Sequence, residues 1–106
     1  MYIIVNKNKI LLKEANTFYK KLMGFMFKKK INYGLVFKNC NGIHTFFMKE
    51  EIDVILTDKS NNILYLYPNL KKWRVLLPKK NVYNTYELPK GTIKNLKIND
   101  KLKIQE

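Results

Sequence analysis

Residues 40–58 read Cys40-Asn41-Gly42-Ile43-His44-Thr45-Phe46-Phe47-Met48-Lys49-Glu50-Glu51-Ile52-Asp53-Val54-Ile55-Leu56-Thr57-Asp58, and their reading decides the fold. From Ile43 to Met48 only His44 and Thr45 interrupt an apolar and aromatic run, which predicts a central strand buried on both faces. With Glu50 to Ile52 as the turn, Asp53 to Thr57 is its expected partner. Period-two alternation puts His44, Phe46 and Met48 on one face and Thr45, Phe47 and Lys49 on the other. Asp53 then stands across from Met48 or Lys49. An imidazole, a thioether and a carboxylate share one strip with aromatic walls, the composition of a small polar pocket.

Outward from this block the punctuation stays strand-like. Tyr2 to Val5 and Ile10 to Leu12 read as a hairpin around Asn6-Lys7-Asn8, because asparagine tolerates the left-handed conformation that tight turns need. One helix is expected from Asn16 to Met23, capped by Asn16 or Thr17, carrying Phe18, Leu22 and Met23 at helical spacing, and stopped by Gly24. Further strands are expected at Gly34 to Phe37, at Ile63 to Tyr67 ended by Pro68, at Val82 to Leu88 ended by Pro89, and at the half-buried edge Lys101 to Ile104. Ile93 to Leu96 reads as a turn or short helical piece. The fold class is mainly β (α+β at most): a small antiparallel β-sandwich or partly open barrel with one short helix near residues 15–23, in a single domain over 1–106.

Composition bounds the partners. The 106 residues carry a formal net charge of +13, with 20 lysines and one arginine, Arg74. Phosphate and base recognition favour arginine's planar fork, and the excess of lysine accompanies 13 asparagines and 11 isoleucines, as an AT-rich coding bias would produce. Much of the charge therefore reads as solvated surface. One cysteine, Cys40, excludes an internal disulfide and a multi-cysteine zinc site. The apolar opening Met1 to Val5 is too short for an export leader, and no window approaches a membrane span. A cytoplasmic monomer without membrane contact is the expectation.

The residues singled out for ligand binding are His44, Met48 and Asp53, with Trp73 and Arg74 at the rim. The leading reading is a noncatalytic small domain that binds a small ligand or a protein there, with no cofactor and no metal. Polar side chains in so apolar a segment must be satisfied by one another, by water or by a ligand. Beside it stands a structural reading, in which His44 is a satisfied histidine, Asp53 bonds backbone amides and Cys40 is a small buried residue. Two catalytic readings are thinner: Cys40 with His44 as nucleophile and base, and His44 as base with Asp53 as its orienter in a hydrolytic or transfer enzyme. A metal held by His44 with Asp53, Glu50 or Glu51 is chemically allowed but has no recognisable ligand spacing. The less favoured partner is a nucleic acid or polyanion on Lys28 to Lys30, Lys71, Lys72, Arg74, Lys79 and Lys80. Met23-Gly24-Phe25-Met26-Phe27 faintly resembles the base-stacking strand of an RNA-recognition motif, and core packing is the preferred reading. Trp73 either stacks on a ligand or covers one end of the barrel.

Taken in order, four blocks resemble the DUF192 family, also called UPF0127. Ala15-Asn16-Thr17 leading to Met23-Gly24-Phe25-Met26-Phe27 is similar to its A-x-T … R-x-x-G-L-M-F opening. Cys40 to Met48 with Ile52 to Asp58 is similar to its C-x-x-I-H-T-F-F-M … I-D-V-x-F-L-D centre. Leu70-Lys71-Lys72-Trp73-Arg74 resembles its L-K-P-W-R, and Glu87-Leu88-Pro89-Lys90-Gly91 its E-L-P-A-G. The resemblance spans about residues 10 to 104 and implies a mainly β domain of this size, with no activity attached. Lys72 stands where proline is usual, Lys21 replaces an arginine, Phe25 a leucine and Asn99 a glycine. Lysine at position 21 weakens any bidentate pair that arginine makes in relatives. Many relatives look exported, with an apolar leader that this chain is expected to lack, so a shared role is not expected to depend on export.

Overall fold

Asn6 and Lys7 both take positive φ, 49° and 71°, and close a two-residue hairpin between β1 (Tyr2–Val5) and β2 (Asn8–Glu14). This is the turn geometry whose twist matches that of paired strands. The computed structural model describes the backbone of residues 1–106 and all side chains except those of Phe18, Tyr19 and Leu22. Chain order continues through α1 (Phe18–Met23), β3 (Gly34–Phe37), β4 (Ile43–His44), β5 (Ile52–Thr57), β6 (Ile63–Leu70), β7 (Val75–Leu76), β8 (Asn84–Pro89) and β9 (Lys103–Gln105). The protein is mainly β, as the sequence predicts.

Seven strands form one sheet in the order β6-β5-β8-β3-β2-β1-β9, and β4 pairs with β7 in a separate two-stranded sheet. One pair departs from the antiparallel expectation. β2 and β3 run parallel, which requires a crossover, and α1 lies on that crossover. The sheet curls until its two edges meet. Ile63 N donates to Asp100 O at 2.8 Å, Asn99 N to Ile63 O at 2.8 Å and Leu102 N to Asn61 O at 2.9 Å, tying the start of β6 to the approach to β9. The result is a barrel closed at one end by these bonds.

Both faces of the middle strands are covered. Inside the curl, Ile3, Val5, Leu12, Val36, Ile55, Ile63, Tyr86 and Leu88 make one core. On the outer face, Ile52, Val54 and Leu56 pack with Phe25, Ile31, Met48 and Val82 in a second. Gly34 lets β3 approach β8, since a Cβ there would stand 2.6 Å from the Leu88 side chain.

Thr17 caps α1, its hydroxyl accepting from Lys20 N at 3.1 Å, and Gly24 ends the helix, both as expected. Of Phe18, Leu22 and Met23, expected at helical spacing, the side chains of the first two lie outside the described residues and Met23 is half-buried. β6 runs through Pro68 instead of ending there. It is an edge strand, where a residue without an N–H costs the ladder nothing, and the register shifts between Ile52 and Val54.

The largest correction concerns residues 43–48. Only Ile43 and His44 are strand, they pair with Leu76 and Val75, and β5 pairs instead with β6 and β8. Thr45 explains the break. Its N–H donates to Arg74 O at 2.8 Å, its hydroxyl donates to Lys71 O at 2.7 Å and accepts from Arg74 N at 2.8 Å, and Trp73 N donates to its carbonyl at 3.1 Å. A side chain that stitches a distant loop takes the place of a ladder, and Phe47 follows at φ 62°. Phe46 and Phe47 are exposed rather than buried.

Candidate functional site

The break in the central segment moves the polar strip. His44 and Met48 line a cavity of about 300 Å³, but Asp53 does not reach it. Its other walls are Met23 and Gly24 from the end of α1, Lys21, Gly42, Ile43 and, from β8, Glu87. The cavity is therefore built where the helix end and the β4 segment meet the outer face of the sheet.

Glu87 sits in register between Leu35 and Val54, on a strand flanked on both sides, and is 2% exposed. Its Oε1 has no hydrogen-bond partner among the described residues. Burial pushes the carboxyl up to about 8, because the charged form would lose its hydration. Gly24 lies against it. With φ 48°, Gly24 occupies the left-handed half of conformational space, and a Cβ there would stand 3.1 Å from Glu87 Oε1 and 3.5 Å from the Phe37 ring. Glycine stops the helix and leaves room for the carboxyl in one stroke.

His44 Nδ1 accepts from Phe46 N at 3.2 Å, so in the neutral ring the proton belongs to Nε2, which acts as a donor. Lys21 Nζ donates to Lys38 O at 3.1 Å and keeps two protons for other partners. Met23, Ile43 and Met48 supply apolar walls. The cavity thus offers hydrogen-bond donors and a protonated acid among thioether and aliphatic groups.

Asp53, 1% exposed, has its partners elsewhere. Oδ1 accepts from Asn69 N at 2.9 Å and Oδ2 from Ile93 N at 3.0 Å. Asn69 lies at φ 53° in the irregular part of β6 after Pro68, so the carboxylate satisfies an amide that the ladder has lost. Asp53 is not within reach of His44 as an orienter, which dissolves the expected His44–Asp53 couple. Glu50 Oε1 accepts from Ile31 N at 3.2 Å, and among the described residues no three His, Cys, Asp or Glu side chains gather as a metal would require. Burial raises the Cys40 thiol, against the lowering field of Lys21 and with that of Glu87, the opposite of what a thiolate nucleophile needs.

Trp73 and Arg74 do not line the cavity. Trp73, 55% exposed, connects to it through rings: its centroid is 5.7 Å from Phe46, which is 5.1 Å from His44. Arg74 opens on a separate hollow between β6 and β7. Of the five residues singled out, the fold brings two to one cavity and adds Glu87, which stands in the fourth sequence block without a predicted role. Its signal was the acidic residue inside an otherwise strand-forming run, Tyr86-Glu87-Leu88.

Comparison with known proteins agrees with this architecture. A Pyrococcus horikoshii UPF0127 protein is 37% identical over 95% of this chain and 97% of its own length. A Thermococcus kodakarensis UPF0127 protein is 37% identical over 84% of this chain, which spans only 60% of that relative. Two crystal structures share the fold: a Novosphingobium aromaticivorans protein of unknown function, TM-score 0.79 at 14% identity, covering 97% of this chain and 82% of that one, and a Sinorhizobium meliloti protein provisionally described as a transcription regulator, TM-score 0.82 at 15% identity, covering 96% and 89%. Among the described residues no helix is long and apolar enough to cross a membrane. The DUF192 family model, described as Uncharacterized ACR, matches residues 2–105, and the chain belongs to that family.

Proposed function

We propose that the protein is a noncatalytic binding domain that takes a small molecule in the cavity between the end of α1 and β8. The observation that carries this reading is the Glu87 carboxyl, buried against a cavity with its Oε1 unpartnered among the described residues. A buried polar group without a partner costs roughly 1–3 kcal/mol, a cost a ligand would remove. The ligand has one hydrogen-bonding end for Glu87 and the Nε2–H of His44, and an apolar body for Met23, Ile43 and Met48. The separation of His44 from Asp53 and the raised Cys40 thiol support binding over catalysis. A cytoplasmic location goes with this reading, since an oxidising compartment would leave the lone thiol of Cys40 open to mixed disulfides.

The test is a thermal-shift panel of short carboxylic acids, amines, sugars and nucleosides on the native chain and on Glu87→Leu. At least one class should raise the melting temperature of the native chain and leave that of Glu87→Leu unmoved. If no class shifts the native chain, or the shift survives in Glu87→Leu, the binding reading fails.

A further inference from the structure

Outside the cavity, the fold exposes a path of rings. Phe27, Phe47 and Trp73 are 56%, 46% and 55% exposed, and Phe46 is 36% exposed. Successive centroids along Phe27, Phe47, Trp73 and Phe46 are 5.4, 4.8 and 5.7 Å apart. These rings come from three separate segments of the chain, so the path is assembled by the fold.

Three of the four are held in an unfavourable backbone conformation. Phe27, Phe47 and Trp73 have φ of 65°, 62° and 61°. Left-handed backbone is uncommon for any residue but glycine and asparagine, and bulky residues pay most for it. Of the other eight non-glycine residues with positive φ, seven are asparagines and one is Lys7. Backbone bonds hold two of the aromatics in place, Phe27 N to Phe47 O at 2.9 Å and Trp73 N to Thr45 O at 3.1 Å. Strain kept in order to display apolar rings to solvent points to a surface with a partner.

Charge says which partner. Lys28, Lys29 and Lys30 follow Phe27, Lys49 follows Phe47 by two residues, and Lys71, Lys72 and Arg74 surround Trp73, all exposed. The acids nearest in sequence, Glu50 and Glu51, are half-buried, and Glu50 is bonded to Ile31 N. Lysines elsewhere lie over tyrosines: Lys13 over Tyr33 at 4.5 Å, Lys59 over Tyr83 at 5.2 Å, Lys79 over Tyr65 at 5.5 Å. The cations beside the rings interleave with them along the chain, as in Phe27-Lys28 and Lys72-Trp73-Arg74. Insertion into a bilayer would drag those charges into the apolar layer. Alternating base and phosphate meets both.

We propose that this ring path and its bordering lysines bind single-stranded nucleic acid without sequence preference, bases against the rings and phosphates against the ammonium groups. The scarcity of arginine fits, because lysine serves phosphate as a point charge and base-edge readout is not required.

Trp73 is the only tryptophan, so its emission reports on the site directly. Oligo(dT) and oligo(U) should both quench it at 50 mM salt. With four phosphates engaged, affinity should fall about 50-fold between 50 and 200 mM salt. Measured by anisotropy of a labelled oligonucleotide, Trp73→Ala and Phe47→Ala should each weaken binding about five- to 150-fold. The double variant Lys94→Gln, Lys97→Gln, at exposed lysines outside the ring path, should bind as the native chain does. The proposal is overturned by absence of binding at 50 mM salt, by salt-sensitive binding that both ring variants leave intact, or by a blue-shifted Trp73 emission on phosphatidylcholine–phosphatidylserine vesicles without quenching by either oligonucleotide.

Discussion

Asp53 and Glu87 are two buried carboxyls on adjacent strands, one register step apart, Asp53 opposite Leu88 and Val54 opposite Glu87. They point to opposite faces of the same sheet. Asp53, on the inner face, receives two backbone N–H groups that no ladder could reach, and each carboxylate oxygen is used. Glu87, on the outer face, has an oxygen without a partner among the described residues, and a cavity. Equal burial therefore says little about role. What separates a carboxyl that holds the fold from one held in reserve is whether the donors around it are already committed.

The contrast breaks most visibly at Asp53. Asp53→Ala orphans the amides of Asn69 and Ile93, and hydrogen bonds to a charged group are worth about 1.5–3 kcal/mol each. The expected loss is about 3–5 kcal/mol, a fall in melting temperature of at least roughly 10 °C by calorimetry. A loss under about 1 kcal/mol would mean that those bonds do not hold the fold.

Glu87 has the opposite sign. An unfolded glutamate ionises above about 4.5, whereas the folded chain keeps the proton up to about 8. Between those values the folded state binds more protons, so stability should decline by roughly a few kcal/mol as pH rises from 4.5 to 8, and then level off. Urea titrations across that window check it, and Glu87→Gln should flatten the profile. Glu87→Leu, which replaces an unsatisfied acid by an apolar group of similar size, should stabilise the ligand-free chain by about 1–3 kcal/mol, read as a higher urea midpoint. A destabilised Glu87→Leu would place Glu87 beside Asp53 as a structural group.

Gly24→Ala sharpens the comparison at its smallest scale. A left-handed backbone and a methyl 3.1 Å from Glu87 Oε1 predict a loss of about 1–2 kcal/mol by thermal melting. In Glu87→Ala the contact is gone, so the cost of Gly24→Ala should shrink toward its backbone part, a coupling that a double-mutant cycle measures.

Much of the architecture was legible in the residues. Asn6-Lys7, Thr17 and Gly24 carry their turn and cap chemistry locally, and the hairpin and the short helix follow from them. The four ordered blocks gave the family. The centre misled, because Ile43 to Met48 is as apolar as a buried strand while its course is decided by Thr45 reaching Lys71 and Arg74, about 30 residues away. A non-local hydrogen bond leaves no periodicity to read. Glu87 showed only as an acid in a strand-forming run, and its role could not be read for a similar reason. Its burial depends on β8 lying between β3 and β5, an order that no local pattern specifies. His44 and Met48, expected to lie together, do line one cavity, and Asp53 was legible only in its structural role, bonded to backbone amides.

The bonds from Asn61 and Ile63 to Asn99, Asp100 and Leu102 give the chain a distinctive order of events. β9 pairs with β1, made well before it, while the segment just before β9 ties to the start of β6. During synthesis both margins of the sheet wait for residues 99–105, and until these arrive the emerging β1–β2 and β5–β6 hairpins present unpaired edges. Pairing over such sequence distances is slow, so nascent chains should linger in a state recognisable to chaperones, and the lysines at 101 and 103 stand where they discourage a stray strand from arriving first.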